Sequence, residues 1–240
     1  MTIETHLKKM RWRDRLSAEE EQAIRWSVGE VVTEPADKVV VRAGKELKHS
    51  MILLDGWMAR VKDLASGQRQ ITELHVSGDY TDLHAFTLKR LDHDVVTVTR
   101  SRIALVPHER LREITERLPH LTRVYWTATN IDASIQREWT MSLGRRSATE
   151  RMAHLFCELD VRLGIVGLVD NGRYDFPLTQ AELSECLGLT PVHVNRTLQD
   201  LRSKKVIEVG DRQVRILDLK ALRSIAQFDD DYLYLEKRDR

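Results

Sequence analysis

The chain has 240 residues, of which 42% are hydrophobic and 31% are charged. This composition is typical of a globular protein and excludes a disordered or fibrous one. The formal net charge of +1 excludes a histone-like polybasic coat on nucleic acid, although it is compatible with a local basic patch. Two cysteines are too few for a disulfide framework, and neither a membrane-spanning run nor a signal peptide is evident. We therefore predict a cytoplasmic protein with no membrane partner.

The N-terminal half has the pattern of a helix followed by an antiparallel β domain. Ser17 and Glu20 form a capping-box pair that predicts a short helix. Between Lys38 and Pro107, short apolar runs alternate with glycine-containing turns, which favours a roll, barrel or sandwich. The predicted strands are 39–41, 51–54, 58–61, 71–76, 95–99 and 103–106.

A long helix is predicted over residues 119–144. Its apolar residues are spaced three and four apart, as in the seam of a coiled coil. They are Leu121, Val124, Ala128, Ile131, Ile135 and Trp139. Two interpretations remain open, because such a stripe packs either on the helix's own domain or on a second copy of the chain.

The pattern near the C-terminus predicts a helix-turn-helix. Thr179 and Glu182 form a capping box, Gly188 ends that helix, and Thr190 and Pro191 begin the next one. A hairpin over residues 206–217 follows and is typical of a wing. This layout favours DNA binding, with an ordinary solvated helix pair as the alternative.

The second of these helices has two distinct faces. Val194, Leu198 and Leu201 lie on a stripe that must face the core. The opposite face carries Arg196 and Gln199, which are residue types that hydrogen-bond base edges and phosphates. Residues 196–215 carry a net charge of +3. Arg196 is the best candidate for a bidentate contact with guanine.

The whole chain resembles the Crp/Fnr family of bacterial transcription regulators. The resemblance is carried by Asp55-Gly56 and Gly78-Asp79 in the β domain and by the runs 183–190 and 194–198 in the helix-turn-helix. It implies an α+β fold made of an antiparallel, cyclic-nucleotide-binding-like β-roll (a jelly roll), a long dimerisation helix and a winged helix-turn-helix. The predicted domains are an effector-sensing roll (1–118), the dimerisation helix (119–144), the DNA-binding domain (145–226) and a tail (227–240).

The resemblance also implies a function. A homodimer would read two half-sites of a near-palindromic site in double-stranded DNA, contact RNA polymerase and respond to a signal received by the roll. Arg196 falls on the family's base-reading arginine, while Thr190 and Gln180 fall on positions that contact the DNA backbone. Val192 departs from the family pattern, because well-known members carry a base-reading glutamate there. The DNA-contacting candidates are Thr179, Gln180, Thr190, Pro191, Val192, His193, Asn195, Arg196, Gln199, Arg202, Lys204 and Arg212.

The nature of the signal does not follow from the sequence. The residue pairs that hold cyclic AMP in the family align with Asp82-Leu83 and His93-Asp94, and neither pair is intact, so cyclic-nucleotide binding is not expected. The roll's histidines (His75, His84, His93 and His108) leave haem as an alternative, but we expect neither haem nor a metal as a cofactor. The default is an unknown small-molecule effector or none.

Cys186 has two interpretations. It is either an oxidation switch beside the DNA interface or a small buried hydrophobic residue.

A competing hypothesis is a ligand-sensing module that acts mainly through protein–protein contacts. An enzyme is not expected, because the chain has no phosphate-binding loop, no metal-spaced histidine and cysteine set, and no nucleophile motif.

Overall fold

The computed structural model describes residues 2–238 and confirms the predicted α+β class. The helices are α1 (Glu4–Arg13), α2 (Ala18–Ser27), α3 (Ala85–Leu88), α4 (His108–Arg117), α5 (Pro119–Arg145), α6 (Ala148–Val166), α7 (Gln180–Leu187), α8 (Pro191–Ser203) and α9 (Leu219–Ala226). The strands are β1 (Glu30–Glu34), β2 (Val39–Val41), β3 (His49–Asp55), β4 (Met58–Asp63), β5 (Arg69–His75), β6 (Asp94–Thr97), β7 (Ser101–Pro107), β8 (Arg173–Asp175), β9 (Ile207–Gly210) and β10 (Gln213–Ile216). None of the described helices is both long and apolar enough to cross a membrane.

Seven strands form the roll as two antiparallel sheets. Their strand orders are β1-β7-β3 and β2-β6-β4-β5. Met51, Leu53, Met58 and Ile103 fill the space between the sheets and are at most 2% exposed. The β3–β4 turn needs Gly56, whose φ is +97° and where a Cβ atom would lie 2.7 Å from the Arg100 carbonyl oxygen.

Helix α5 packs on its own protomer. Five of the six residues of the predicted seam are at most 8% exposed within this single chain, and only Ala128 is exposed. Leu121 and Val124 belong to the core under α1 and α2, while Ile131, Ile135 and Trp139 belong to the core that the roll shares with the C-terminal domain. These five side chains therefore offer no surface to a second chain, which corrects the predicted dimer seam and favours the intramolecular interpretation.

The C-terminal domain consists of α6 to α9 and a three-stranded wing of order β8-β10-β9. Strand β8 follows the glycine-containing stretch 164–172, and no strand pattern in the sequence marks it. Helix α6 ends at Gly167, which has φ of +79°. Its apolar residues pack in one continuous core with Trp57, Leu74 and Val76 of the roll. The two domains are thus held together by a shared apolar core.

Candidate nucleic-acid interface

The helix-turn-helix has the local geometry that the sequence predicts. The Thr179 hydroxyl accepts a hydrogen bond from the Glu182 amide (3.2 Å), and the Glu182 carboxylate accepts one from the Thr179 amide (2.7 Å). Gly188 ends α7 with φ of +59°, and the Thr190 hydroxyl then accepts the His193 amide at the start of α8 (3.3 Å). These caps satisfy amide groups that have no partner inside a helix, so they set where each helix begins.

Helix α8 separates a core face from a solvent face. Val194 and Leu201 are completely buried, whereas Asn195, Arg196 and Gln199 are exposed. Val192 is 76% exposed. The first nine residues of α8 therefore present an arginine, two side-chain amides and the apolar Val192 side chain to the solvent. This is a suitable set for the edges of base pairs.

Gln180 and Asn195 form a reciprocal pair of side-chain hydrogen bonds. The Gln180 amide donates to Asn195 (2.9 Å), and the Asn195 amide donates to Gln180 (2.7 Å). The pair joins the start of α7 to the solvent face of α8. Each amide keeps one further N–H group, so both residues remain able to donate to a phosphate or a base.

Three of the predicted contact residues are engaged with the protein itself. Arg202 donates to the Val209 carbonyl of the wing, and Lys204 pairs with Asp200 (2.7 Å). Arg212 donates to the Pro177 carbonyl (2.9 Å) and lies on a groove shared with Trp57 of the roll. Arg212 itself stays exposed at the β9–β10 turn, so its contact with DNA stays a prediction.

A hairpin of the roll lies beside the N-terminal end of α8. This hairpin consists of β4 and β5, and Gln70 lies next to its turn. The Gln70 side-chain amide donates to the backbone carbonyls of Glu185 (2.5 Å) and Cys186 (3.3 Å) in α7. A groove of about 580 Å³ separates the hairpin from Thr190 and His193. The C-terminal end of α7 and the N-terminal end of α8 therefore lie next to the roll.

Buried charges join the roll to α6, and we call the set Asp79, Glu158 and Arg162 the domain junction. Arg162 donates to Asp79 (2.8 Å), to Glu158 (2.9 Å) and to the Leu74 carbonyl (2.7 Å). All three side chains are at most 3% exposed. Burial alone would raise the pKa of Asp79, but the cations of Lys9 and Arg162 hold it well below its usual value.

The C-terminal tail also reaches the domain junction. The Tyr232 hydroxyl donates to Glu158 (2.8 Å), and Arg13 of α1 donates to the Leu233 carbonyl (3.2 Å). Leu233 is completely buried. No local pattern in the sequence predicts these contacts, because the partners lie more than 70 residues apart.

Both cysteines and two histidines of the roll, His75 and His108, are core residues. Cys186 is 3% exposed, and burial raises the pKa of its thiol well above the usual value, so it stays protonated and inert. This favours its interpretation as a buried hydrophobic residue over an oxidation switch. His75 and His108 are at most 4% exposed, and burial lowers the pKa of each to about 4.

Comparisons with known proteins place both domains in one class, the DNA-binding regulators. Residues 31–117 match the cyclic nucleotide-binding domain model, and residues 150–225 match the Crp-like helix-turn-helix domain model. The transcriptional activator protein FnrL of Cereibacter sphaeroides is 26% identical over 82% of this chain and 80% of its own length. A probable transcriptional activator of Rhizobium leguminosarum is 27% identical over 76% of this chain and 75% of its own length.

A solved structure has the same fold over most of its length. FixK2 of Bradyrhizobium japonicum superposes with a TM-score of 0.76 at 22% identity, covering 82% of this chain and 97% of FixK2. The chain belongs to the Crp/Fnr family and is a DNA-binding transcription regulator, not an enzyme.

Proposed function

We propose that this regulator acts as a homodimer that reads a near-palindromic site in double-stranded DNA, with residues 190–204 in the major groove. The observation that carries the proposal is the solvent face of α8, where Arg196 stands exposed between Asn195 and Gln199. An arginine at this place can bind guanine through two hydrogen bonds. Val192 is suited only to a thymine methyl group, so the site should differ from the usual family half-site at that base pair.

The contacts to the DNA backbone rest on the ends of the two helices. The amide groups at the N-termini of α7 and α8 attract phosphate oxygens, and Thr179, Thr190 and Pro191 lie at these ends. Gln180 and His193 flank them. These residues position the protein, while Arg196, Asn195 and Gln199 specify the sequence.

A second copy is proposed to pack on the exposed face of α5. Trp126 is 65% exposed and Met141 is 40% exposed, although both are large apolar residues on one helix. Asn130, Ala133 and Arg137 are exposed between them at spacings of three and four, which matches a coiled-coil seam. This strip replaces the buried one that the sequence pattern indicated.

Sedimentation velocity tests this seam. We expect Ala133→Glu to convert the dimer to a monomer, because it places a charge in the middle of the strip. Ser224→Glu, at an exposed position of α9, is the matched control and should leave the dimer intact. A variant that stays dimeric at the same concentration would contradict the proposed seam.

The roll is proposed to relay a small-molecule signal to the DNA-binding domain through the domain junction. The relay includes neither haem nor a cyclic nucleotide. The Asp94 carboxylate, at one of the positions aligned with the family's phosphate-holding pair, accepts the Ala43 amide (2.7 Å) and pairs with Arg42 (3.3 Å). These donors are therefore already engaged by a carboxylate, which would also repel a phosphate. A redox signal through Cys186 has no support from its burial. The regulator is proposed to act in the cytoplasm and to contact RNA polymerase.

Selection of random duplexes with the purified protein tests the proposal. We expect an enriched inverted repeat whose half-sites lie about 34–36 Å apart, with affinity that falls steeply as salt rises. Arg196→Ala is the matched control and should enrich nothing. A wild-type protein that enriches no sequence would favour the competing hypothesis of a sensor that acts through protein–protein contacts.

A further inference from the structure

A small cavity, partly open to the solvent, lies where α1, α5 and the segment after β5 meet. Its volume is about 80 Å³. One wall is apolar and includes Met10, Val124 and Ile131, while the other carries His6, Tyr80 and Tyr125. This cavity is separate from the nucleic-acid interface and from the Asp82 and His93 region.

Three polar atoms in the wall lack a hydrogen bond of good geometry. Within residues 2–238 they are the buried His6 Nε2 atom and the hydroxyls of Tyr80 and Tyr125, although these two hydroxyls lie close enough to interact with each other. His6 is 4% exposed and Tyr125 is 5% exposed. Unpartnered buried polar atoms are rare, and three of them around one cavity indicate that an occupant supplies the missing hydrogen bonds.

The chemistry of these atoms defines what the occupant must offer. The His6 Nδ1 atom is 2.8 Å from the Gly78 carbonyl oxygen, which can only accept, so Nδ1 carries the proton. Burial lowers the pKa of His6 to about 4, which leaves Nε2 as a bare acceptor. Burial raises the pKa of both tyrosines, so their hydroxyls remain donors. The occupant must therefore donate one hydrogen bond and accept others.

The charges in the wall and the size of the cavity restrict the occupant further. Both cations in the wall are already engaged, because Lys9 pairs with Asp79 and Arg13 donates to the Leu233 carbonyl. The Asp14 carboxylate also lines the cavity and disfavours an anion. A carboxylate has no hydrogen to donate to His6 Nε2. The cavity is smaller than the cavity of about 150 Å³ that holds benzene, so it suits a molecule of about four or five non-hydrogen atoms.

We propose that this cavity is a binding site for a small uncharged molecule that carries a hydrogen-bond donor and acceptor beside a short alkyl group, as short-chain amides and alcohols do. Tyr80 follows Asp79, and Lys9 of α1 pairs with the same Asp79 that binds Arg162. An occupant therefore touches the elements that hold the domain junction. An effect on DNA affinity rests on the proposed function, whereas ligand binding itself does not.

Nuclear magnetic resonance of the full-length protein tests the site, with propionamide and 1-propanol as probes and acetate as the anionic control. We expect saturable shifts of the His6 Nε2 resonance and of the Tyr80 amide with either uncharged probe, and none with acetate. Tyr125→Phe removes one hydroxyl and keeps the ring, so it should weaken probe binding about tenfold. Tyr80→Phe tests the second hydroxyl in the same way, and exposed Tyr234→Phe is the matched control that should change nothing.

The proposal is overturned if neither uncharged probe gives a saturable shift, since the cavity then holds water only. Equal binding of acetate would overturn the proposed ligand class, and unchanged binding in both cavity variants would overturn the site. DNA affinity is measured separately with and without propionamide. A protein that binds DNA but not propionamide contradicts this inference alone, whereas one that binds propionamide but no DNA contradicts the proposed function alone.

Discussion

The solvent face of α8 and the domain junction are both rich in polar side chains, but they are built in opposite ways. Arg196 and Gln199 are exposed on one regular helix. Asp79, Glu158 and Arg162 are buried and come from a loop of the roll and from α6. The first set is available to a partner molecule, whereas the second is already bound in ion pairs within the protein.

This difference predicts which substitutions affect which property. A change on the α8 face removes a contact with DNA but leaves no buried charge behind. A change at the domain junction leaves an uncompensated buried charge, which is strongly destabilising. The two regions should therefore separate in experiments that measure stability and DNA affinity side by side.

Arg162→Met should have the largest effect of the variants considered. It leaves Asp79 and Glu158 without their buried partner, so we expect the free energy of unfolding to fall by about 3–5 kcal/mol. Urea denaturation measures this loss. Arg215→Met, on the exposed wing, is the matched control and should change the free energy of unfolding by less than about 0.5 kcal/mol. A loss of the same small size at Arg162 would mean that the domain junction does not hold the domains together.

We expect acid to lower the free energy of unfolding through buried histidines before it affects the exposed face of α8. Burial lowers the pKa of His6 and of His75 to about 4, below the ordinary 6.5. Between pH 6.5 and pH 4 the unfolded chain therefore binds protons that the folded chain does not. Stability is complete above pH 6.5 and falls as the pH drops, by about 2 kcal/mol for each histidine between pH 7 and pH 5.

Urea denaturation at pH 7 and pH 5 measures this dependence. The variant His75→Gln should show a smaller difference between the two pH values than the wild type. Burial raises the pKa of Asp82 to about 7, which acts in the opposite direction over this range, so the variant is compared directly with the wild type. The same pH dependence in His75→Gln and in the wild type would contradict a neutral, buried His75.

Arg196→Ala should leave stability unchanged and weaken specific DNA binding. A bidentate contact with guanine contributes about 1–3 kcal/mol, so a dimer with two such contacts should lose at least about 30-fold in affinity. Fluorescence anisotropy with the selected duplex measures the loss. Full affinity in the variant would show that Arg196 does not contact DNA. A large loss of stability would contradict the difference between the exposed α8 face and the buried domain junction.

Thr190→Ala should have the smallest effect. It removes the hydroxyl that accepts the His193 amide at the start of α8, so we expect a loss of about 1 kcal/mol in the free energy of unfolding. Thr190→Ser keeps the hydroxyl and should restore most of the stability. If both variants were equally stable, the cap would not contribute to the start of α8.

The sequence is a good guide to features whose signals are local. The caps at Thr179 and Thr190, the stop at Gly188 and the two faces of α8 follow from spacings within one or two helical turns. The six strands of the roll between Val39 and Pro107 are marked by apolar runs and glycine turns in the same way. Helix α1, strand β1 and β8 carry weaker signals and were not predicted.

Features that depend on distant residues could not be predicted. The stripe from Leu121 to Trp139 shows that α5 has an apolar face, but periodicity does not say which body covers that face. Likewise, no pattern links Arg162 to Asp79 or Tyr232 to Glu158, because these pairs depend on how the domains pack. Arg212 was assigned to the interface from its place in the hairpin, although packing directs its side chain to Pro177.

Genome-wide mapping of the DNA bound in cells, with the wild type compared with Arg196→Ala at equal expression, tests whether α8 reads DNA. We expect wild-type sites to lie near promoters and to share one inverted repeat, and we expect these sites to disappear in the variant while the protein stays folded. The same sites in both proteins, or no shared sequence in the wild type, would contradict the claim that α8 reads DNA.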